Sequence, residues 1–176
     1  MPTMDCLLAD PVTSGKPLKI WNRFAECCVV AAFSIHREEE RCEGVLRIQD
    51  IPELSDHKWL VYHWTARKIS PLEESCEVPV SLAFGESELY LILPDRSVQF
   101  VGILEKYIGF GCISRLWEEK DAAGVLVTEP GTFGFVAKRT PGRVLVNGRE
   151  CTYEPMGGDL YGVKISEGNS VVELRF

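Results

Sequence analysis

The sequence predicts an all-β fold, an antiparallel two-sheet β-sandwich in a single domain spanning residues 1–176. Three observations carry this. Short apolar runs alternate with period two and are separated by Gly, Pro, Asp and Asn, the pattern of strands and turns. No helical periodicity persists for ten residues or more. Asn147-Gly148 stands between two alternating runs, and Asn-Gly is the strongest short hairpin signal because both central residues must reach φ > 0. Strands at regular spacing without intervening helices favour an antiparallel sandwich over a parallel sheet. With 176 residues and 45% hydrophobic content, the chain can bury about 70% of its unfolded surface. It is well short of the roughly 250 residues of a complete (β/α)₈ barrel.

Each element follows from its local pattern. Residues 18–21 and 27–33 are the first two strands, and 45–48 the third. Asp50-Ile-Pro-Glu-Leu54 has an N-cap residue, an early Pro and an acidic first turn, which predicts one capped helical turn. Over 58–64, Leu60, Tyr62 and Trp64 share one face and Trp59, Val61 and His63 the other. Apolar and aromatic side chains on both faces predict a strand covered on each side. Residues 78–84 and 88–93 are a consecutive pair joined around Gly85, and Pro94-Asp95 turns the chain into 98–101. Residues 113–117 and 125–128 flank the acidic turn Glu118-Glu-Lys-Asp121. Strands at 132–137, 143–146, 149–153 and 160–165 follow. Residues 170–176 close the chain, with Val172, Leu174 and Phe176 inward and Glu173 and Arg175 outward.

Charge and composition exclude several functions. The balance of 19 basic against 26 acidic residues, a net charge of −7, opposes nucleic-acid binding, which uses basic side chains to neutralise phosphates. The longest apolar run, 27–33, is too short for a membrane helix of about 20 residues. The chain opens without the basic-then-apolar pattern of a secretory signal. Seven cysteines, at 6, 27, 28, 42, 76, 112 and 151, form neither an even disulfide framework nor a C-x-x-C zinc spacing. They read as reduced thiols, and the expected location is cytoplasmic.

Candidate chemistry is sparse. Glycoside hydrolysis needs two carboxylates flanking one bond, but most acidic residues stand in turns or charge runs such as Glu38-Glu39-Glu40 and Glu118-Glu119. Asp5 and Asp10 lie near prolines and suit turn or capping work. His36, His57 and His63 form no H-x-H pair and read as structural. No G-x-S-x-G elbow is present. Gly109-Phe-Gly111 lacks the spacing and the following helix of a phosphate cradle. Trp21, Trp59, Trp64 and Trp117 would suit a sugar-stacking platform if exposed, and a sandwich core if buried.

Several stretches, in order, resemble one family. Pro2-Thr3-Met4-Asp5-Cys6-Leu7-Leu8-Ala9-Asp10-Pro11 is similar to a P-T-R-D-C-L-F-x-D-P motif. Gly15-Lys-Pro-Leu-Lys-Ile-Trp-Asn22 resembles G-x-S-L-L-K-I-W-N. Val45-Leu-Arg-Ile-Gln-Asp-Ile-Pro52 and Lys58-Trp-Leu-Val-Tyr-His63 parallel V-S-L-x-D-I-P and F-A-V-Y-x-H segments. Gly102-Ile-Leu-Glu-Lys-Tyr-Ile-Gly-Phe-Gly-Cys-Ile113 lines up with G-L-L-D-K-Y-N-S-x-G-A-I, and Val146-Asn147-Gly148 with a closing V-N-G. Two departures stand out: no Q-G-A-G-W follows Cys28-Val-Val-Ala-Ala-Phe-Ser34, and Ile108 replaces the usual Asn. The pattern resembles the C-terminal region of the raffinose synthase and seed-imbibition (alkaline α-galactosidase) branch of glycoside hydrolase family 36.

The resemblance implies a role. In that family the catalytic aspartates come from a central barrel upstream of this region. None of Asp5, Asp10, Asp50, Asp56, Asp95, Asp121 or Asp159 stands in a matching motif, so no catalytic residue carries over. No cofactor or metal is implied. The expectation is a non-catalytic C-terminal β-sandwich of a galactoside-processing enzyme, a fragment or truncated gene product whose partner is the catalytic barrel. The parent would hydrolyse α-galactosides or transfer galactose from galactinol to sucrose. The alternative is a free-standing carbohydrate-binding module. The apolar, Gly-rich segment 101–113 is expected to form an interdomain contact, or to drive self-association in isolation.

Overall fold

The computed structural model describes residues 1–24, 26–35, 41–52, 54 and 58–176. His36, the Glu38–Glu40 run, Asp56 and His57 lie outside the described residues. Among those described, sixteen strands fall into four antiparallel sheets. The fold is all-β, as the period-two patterning predicts. Contacts group the chain into two compact units, one of Met1–Ala66 and Ser70–Asp95, the other of Arg67–Ile69 and Arg96–Phe176. The sequence carries no linker to mark this division.

The first unit opens with two short helices, α1 (Met4–Leu8) and α2 (Pro11–Ser14). Asp10 caps α2 by accepting Val12 N at 3.0 Å, with Pro11 in the first helical turn, where its missing N–H costs nothing. Strands β1 (Leu18–Phe24), β2 (Cys27–Phe33), β4 (Trp59–His63), β5 (Lys68–Leu72) and β7 (Ser87–Pro94) form a sheet of order β1-β2-β7-β4-β5. Strands β3 (Arg41–Leu46) and β6 (Val78–Ala83) pair separately. Trp21, Val30, Val61, Tyr90 and Ile92 of the larger sheet pack in one core with Cys42, Leu46, Val80 and Leu82 of the smaller.

Several boundaries differ from the sequence-based expectation. A 3₁₀ turn at Ile48–Asp50 precedes the expected one, and Asp50 closes it by accepting Arg47 N at 3.2 Å. Over the expected turn Leu54 N donates to the Ile51 carbonyl at 3.1 Å, and Glu53 lies outside the described residues. Strands β6 and β7 are consecutive around Gly85, whose φ is +78°, yet each pairs elsewhere, β6 with β3 and β7 with β2 and β4. Strand β5 is hidden in the sequence by Pro71, a residue confined to sheet edges because it cannot donate to the ladder. β4 fulfils its pattern: Trp59, Leu60, Val61 and Tyr62 are all buried.

The second unit is a two-sheet sandwich. One sheet orders β14 (Tyr153–Gly157), β15 (Leu160–Ile165), β11 (Gly131–Ala137) and β8 (Val98–Ile103). The other orders β13 (Arg149–Cys151), β12 (Arg143–Val146), β16 (Ser170–Arg175), β10 (Ala122–Val127) and β9 (Ile113–Glu119). Phe100, Phe133, Phe135 and Val163 of the first interleave with Val125, Val127, Val144, Val172 and Leu174 of the second. Asn147 and Gly148 take φ of +52° and +75° and bring Val146 opposite Arg149, the predicted hairpin. The run 149–153 splits at Thr152, and its two parts join different sheets.

Candidate functional site

The most concentrated polar chemistry of the first unit lies on the core face of its larger sheet. Alternation in β1 points Lys19 inward beside Trp21, and Lys19 is only 1% exposed. Its ammonium lies 2.7 Å from Asp5 Oδ2 and 3.2 Å from Asp50 Oδ2, and donates to the Val45 carbonyl. Thr3, fully buried, donates through Oγ1 to Asp5 Oδ1 at 2.7 Å. Cys6 Sγ accepts Lys19 N at 3.3 Å. Burial is the largest influence on Asp5 and raises its pKa. The Lys19 and Thr3 hydrogen bonds, the Lys19 charge and the Cys6 N–H outweigh it and hold the carboxyl below its ordinary range.

A second cluster occupies the same level of the sheet, because Lys19 and Glu88 both face Ala32 across β2. Glu88 Oε2 lies 2.8 Å from His63 Nε2, and Oε1 accepts Thr65 Oγ1 at 2.8 Å and Leu89 N at 2.9 Å. His63 stacks on Tyr90, with centroids 4.9 Å apart. Burial raises the Glu88 pKa, but the Leu89 N–H, His63 and Thr65 together bring it below the ordinary value. Burial first, and the Glu88 charge second, push the Tyr90 phenol well up.

In both clusters the carboxylates are engaged in ion pairs and hydrogen bonds. A glycosidase needs a carboxylic acid whose pKa is raised, paired with a second carboxylate across the bond. Asp5, Glu88 and, in the second unit, Glu105 are all displaced downward. Asp50 is committed to Lys19 and Arg47 N. Asp10 caps α2, and Asp121 and Asp159 are exposed in turns. Among the described residues no group of three or more His, Cys, Asp or Glu could hold a metal ion. No described helix is long and apolar enough to cross a membrane.

The tryptophans form no exposed platform. Trp21 and Trp59 are buried, at 3% and 7% exposure, and Trp64 and Trp117 are half-buried. The Trp117 ring lies over Gly124 of the neighbouring strand so closely that a Cβ there would meet it at 2.0 Å. A cleft of about 260 Å³ opens in the second unit, lined by Ser97, Glu118, Lys120, Lys138, Arg139 and Phe176 among others. Ser97 Oγ donates to Glu118 Oε1 at 3.2 Å, and both signs of charge are represented.

The segment 101–113 is largely internal. Val101, Ile103, Leu104, Phe110 and Cys112 are buried, and Tyr107 and Ile108 point outward. Within the segment expected to contact another domain or a second copy, Phe110 is thus turned inward, and Tyr107 and Ile108 are its exposed large apolar residues. Its glycines serve the fold-back itself: a Cβ on Gly102 would stand 2.2 Å from the Gly109 carbonyl, and one on Gly109 would stand 2.1 Å from the Ile103 oxygen.

Sequence reasoning placed Asp5 and Asp10 together as turn or capping residues; Asp10 caps, whereas Asp5 belongs to the Lys19 ion pair. The signal for that cluster is a lysine at an inward position of an alternating strand, since a buried charge requires a partner. All seven cysteines carry free thiols.

No protein-family profile matches this chain. It is 27% identical over 186 aligned positions to Probable galactinol–sucrose galactosyltransferase 6 of Arabidopsis thaliana, a match covering 87% of this chain and 25% of that protein. The chain thus spans about a quarter of the length of this curated relative.

Proposed function

We propose that this chain is the non-catalytic C-terminal β-sandwich part of a longer enzyme of the raffinose synthase and α-galactosidase type. In this reading it packs on and stabilises a catalytic barrel that hydrolyses α-galactosides or moves galactose from galactinol to sucrose, in a reducing cytoplasm. The observation that carries the reading is the partial match itself, which takes in 87% of this chain but a quarter of a galactosyltransferase. The chemistry agrees with it. The acidic residues with displaced pKa values are tied into ion pairs and hydrogen bonds, and their downward shifts are opposite to those of a general acid. The burial of Trp21 and Trp59 supports a supporting domain over a free-standing module, which needs solvent-facing rings for sugar to stack on.

The test is direct. Purified chain is incubated with an aryl α-galactoside and, separately, with galactinol plus sucrose. No turnover is expected in either case. Turnover that survives repurification and disappears on replacing a carboxylate of this chain would overturn the reading.

A further inference from the structure

An antiparallel sheet in a layered domain usually turns one apolar face to its core and one polar face to water. The larger sheet of the first unit departs from this. Its core face carries Trp21, Val30, Tyr90 and Ile92. On the opposite face the register aligns Ile20 with Ala31, Asn22 with Val29 and Phe24 with Cys27. It then aligns Ala31 with Leu89, Val29 with Leu91, and Leu91 and Leu93 with Tyr62 and Leu60. From β1 across β2 and β7 to β4 no strand position on this face is charged, in a chain whose residues are 26% charged.

The cover on this face is incomplete. Leu60, Tyr62, Leu91 and Leu93 are buried, whereas at the β1 end Ile20 is 39% and Phe24 46% exposed. Val29, Ala31 and Phe33 are half-buried between them. The outer edge of β1 is closed at residues 19–21, because Thr3 N donates to Lys19 O at 3.0 Å and Trp21 N to Met1 O at 2.7 Å. Strand addition at residues 19–21 is thereby blocked, and a partner there must meet the sheet face on.

We propose that this β1–β2 face is the docking surface for the catalytic body of the longer enzyme, contacted through an apolar, uncharged patch of that body. The inference rests on the function proposed above. Two observations favour this occupant. About three quarters of the galactosyltransferase relative lies outside the match, and a body in the same polypeptide acts at a high effective concentration. The face is also the neutral region of a chain with net charge −7, and the centre of an interface is depleted of charges because burying them costs desolvation.

The experiment coexpresses the 176-residue chain with the Arabidopsis relative from which the matched quarter has been deleted. The wild-type chain should copurify with that body. Ile20→Lys combined with Phe24→Lys should weaken binding at least tenfold while leaving the melting curve of the isolated chain unchanged. Leu8→Lys, at an exposed position of α1, should bind as wild type does. If the lysine pair unfolds the chain, Ile20→Thr with Phe24→Thr reports in its place. Equal binding by all variants overturns the docking face alone. Failure of the wild type to bind overturns the proposed function and the face with it. A wild-type dimer abolished by the double substitution makes a second copy the occupant and overturns the catalytic body as partner.

Discussion

Lys19 shows how one side chain can organise a domain end. Its ammonium is removed from water and faces two carboxylates and a carbonyl, on the N-terminal helix, the 3₁₀ turn and β3. Removing one partner of such a buried set leaves uncompensated charge, which costs about 3–5 kcal/mol. Lys19→Met should therefore lower unfolding stability by that order in urea titrations at pH 7. A loss below about 1 kcal/mol would show that the cluster does not hold the three segments together. The same residues set the pH response. Asp5, Glu88 and Glu105 have folded-state pKa values below their ordinary ones. Their contribution is in place above the ordinary carboxylate range, near pH 4, and is lost as pH falls through the folded values. Stability measured between pH 7 and pH 3 should hold above about pH 5 and decline below about pH 4. Asp5→Asn should shallow that decline.

At the scale of elements, two glycines with positive φ separate steric crowding from backbone strain. Gly148 has φ +75° and open space around its missing Cβ, so Gly148→Ala meets strain alone, about 1–3 kcal/mol for a non-glycine residue held there. Gly102 has φ +101°, and a Cβ would also stand 2.2 Å from backbone atoms of Gly109. Gly102→Ala should therefore lower the melting temperature more than Gly148→Ala, and equal losses would contradict the close approach. The hairpin was legible because its signal is contained in Asn147-Gly148. The fold-back of 101–113 was not, because an apolar Gly-rich stretch reads the same whether it covers a neighbour or itself. β5 was missed because Pro71 suppresses the strand pattern at the sheet edge where proline is tolerated.

The whole molecule is two all-β units, each with its own core. Four of its cysteines, Cys27, Cys28, Cys42 and Cys112, are buried, and all seven are free thiols. Cys27 and Cys28 are neighbours on one strand and point to opposite faces, so they behave as small apolar side chains. Thiol titration of freshly prepared protein, denatured without reductant, should count seven. A reproducible shortfall of two would indicate a disulfide and count against a reducing compartment.

What the amino-acid order determined by itself is local. Alternation set which residues of β16 turn inward, apolar side chains on both faces marked β4 as a strand covered on each side, the Asn-Gly pair set a hairpin, and the absence of helical periodicity set the all-β class. Backbone conformation and side-chain direction depend on neighbours a few positions away. Tertiary structure decided which strands are partners. It left β6 and β7 unpaired to each other across a three-residue connection, and it brought Lys19 to Asp50 from 31 positions away. It also buried Phe110 while leaving Ile20 and Phe24 partly exposed. Such pairings are chosen by how well distant faces fill a common core and satisfy one another's polar groups, and that depends on the whole chain at once.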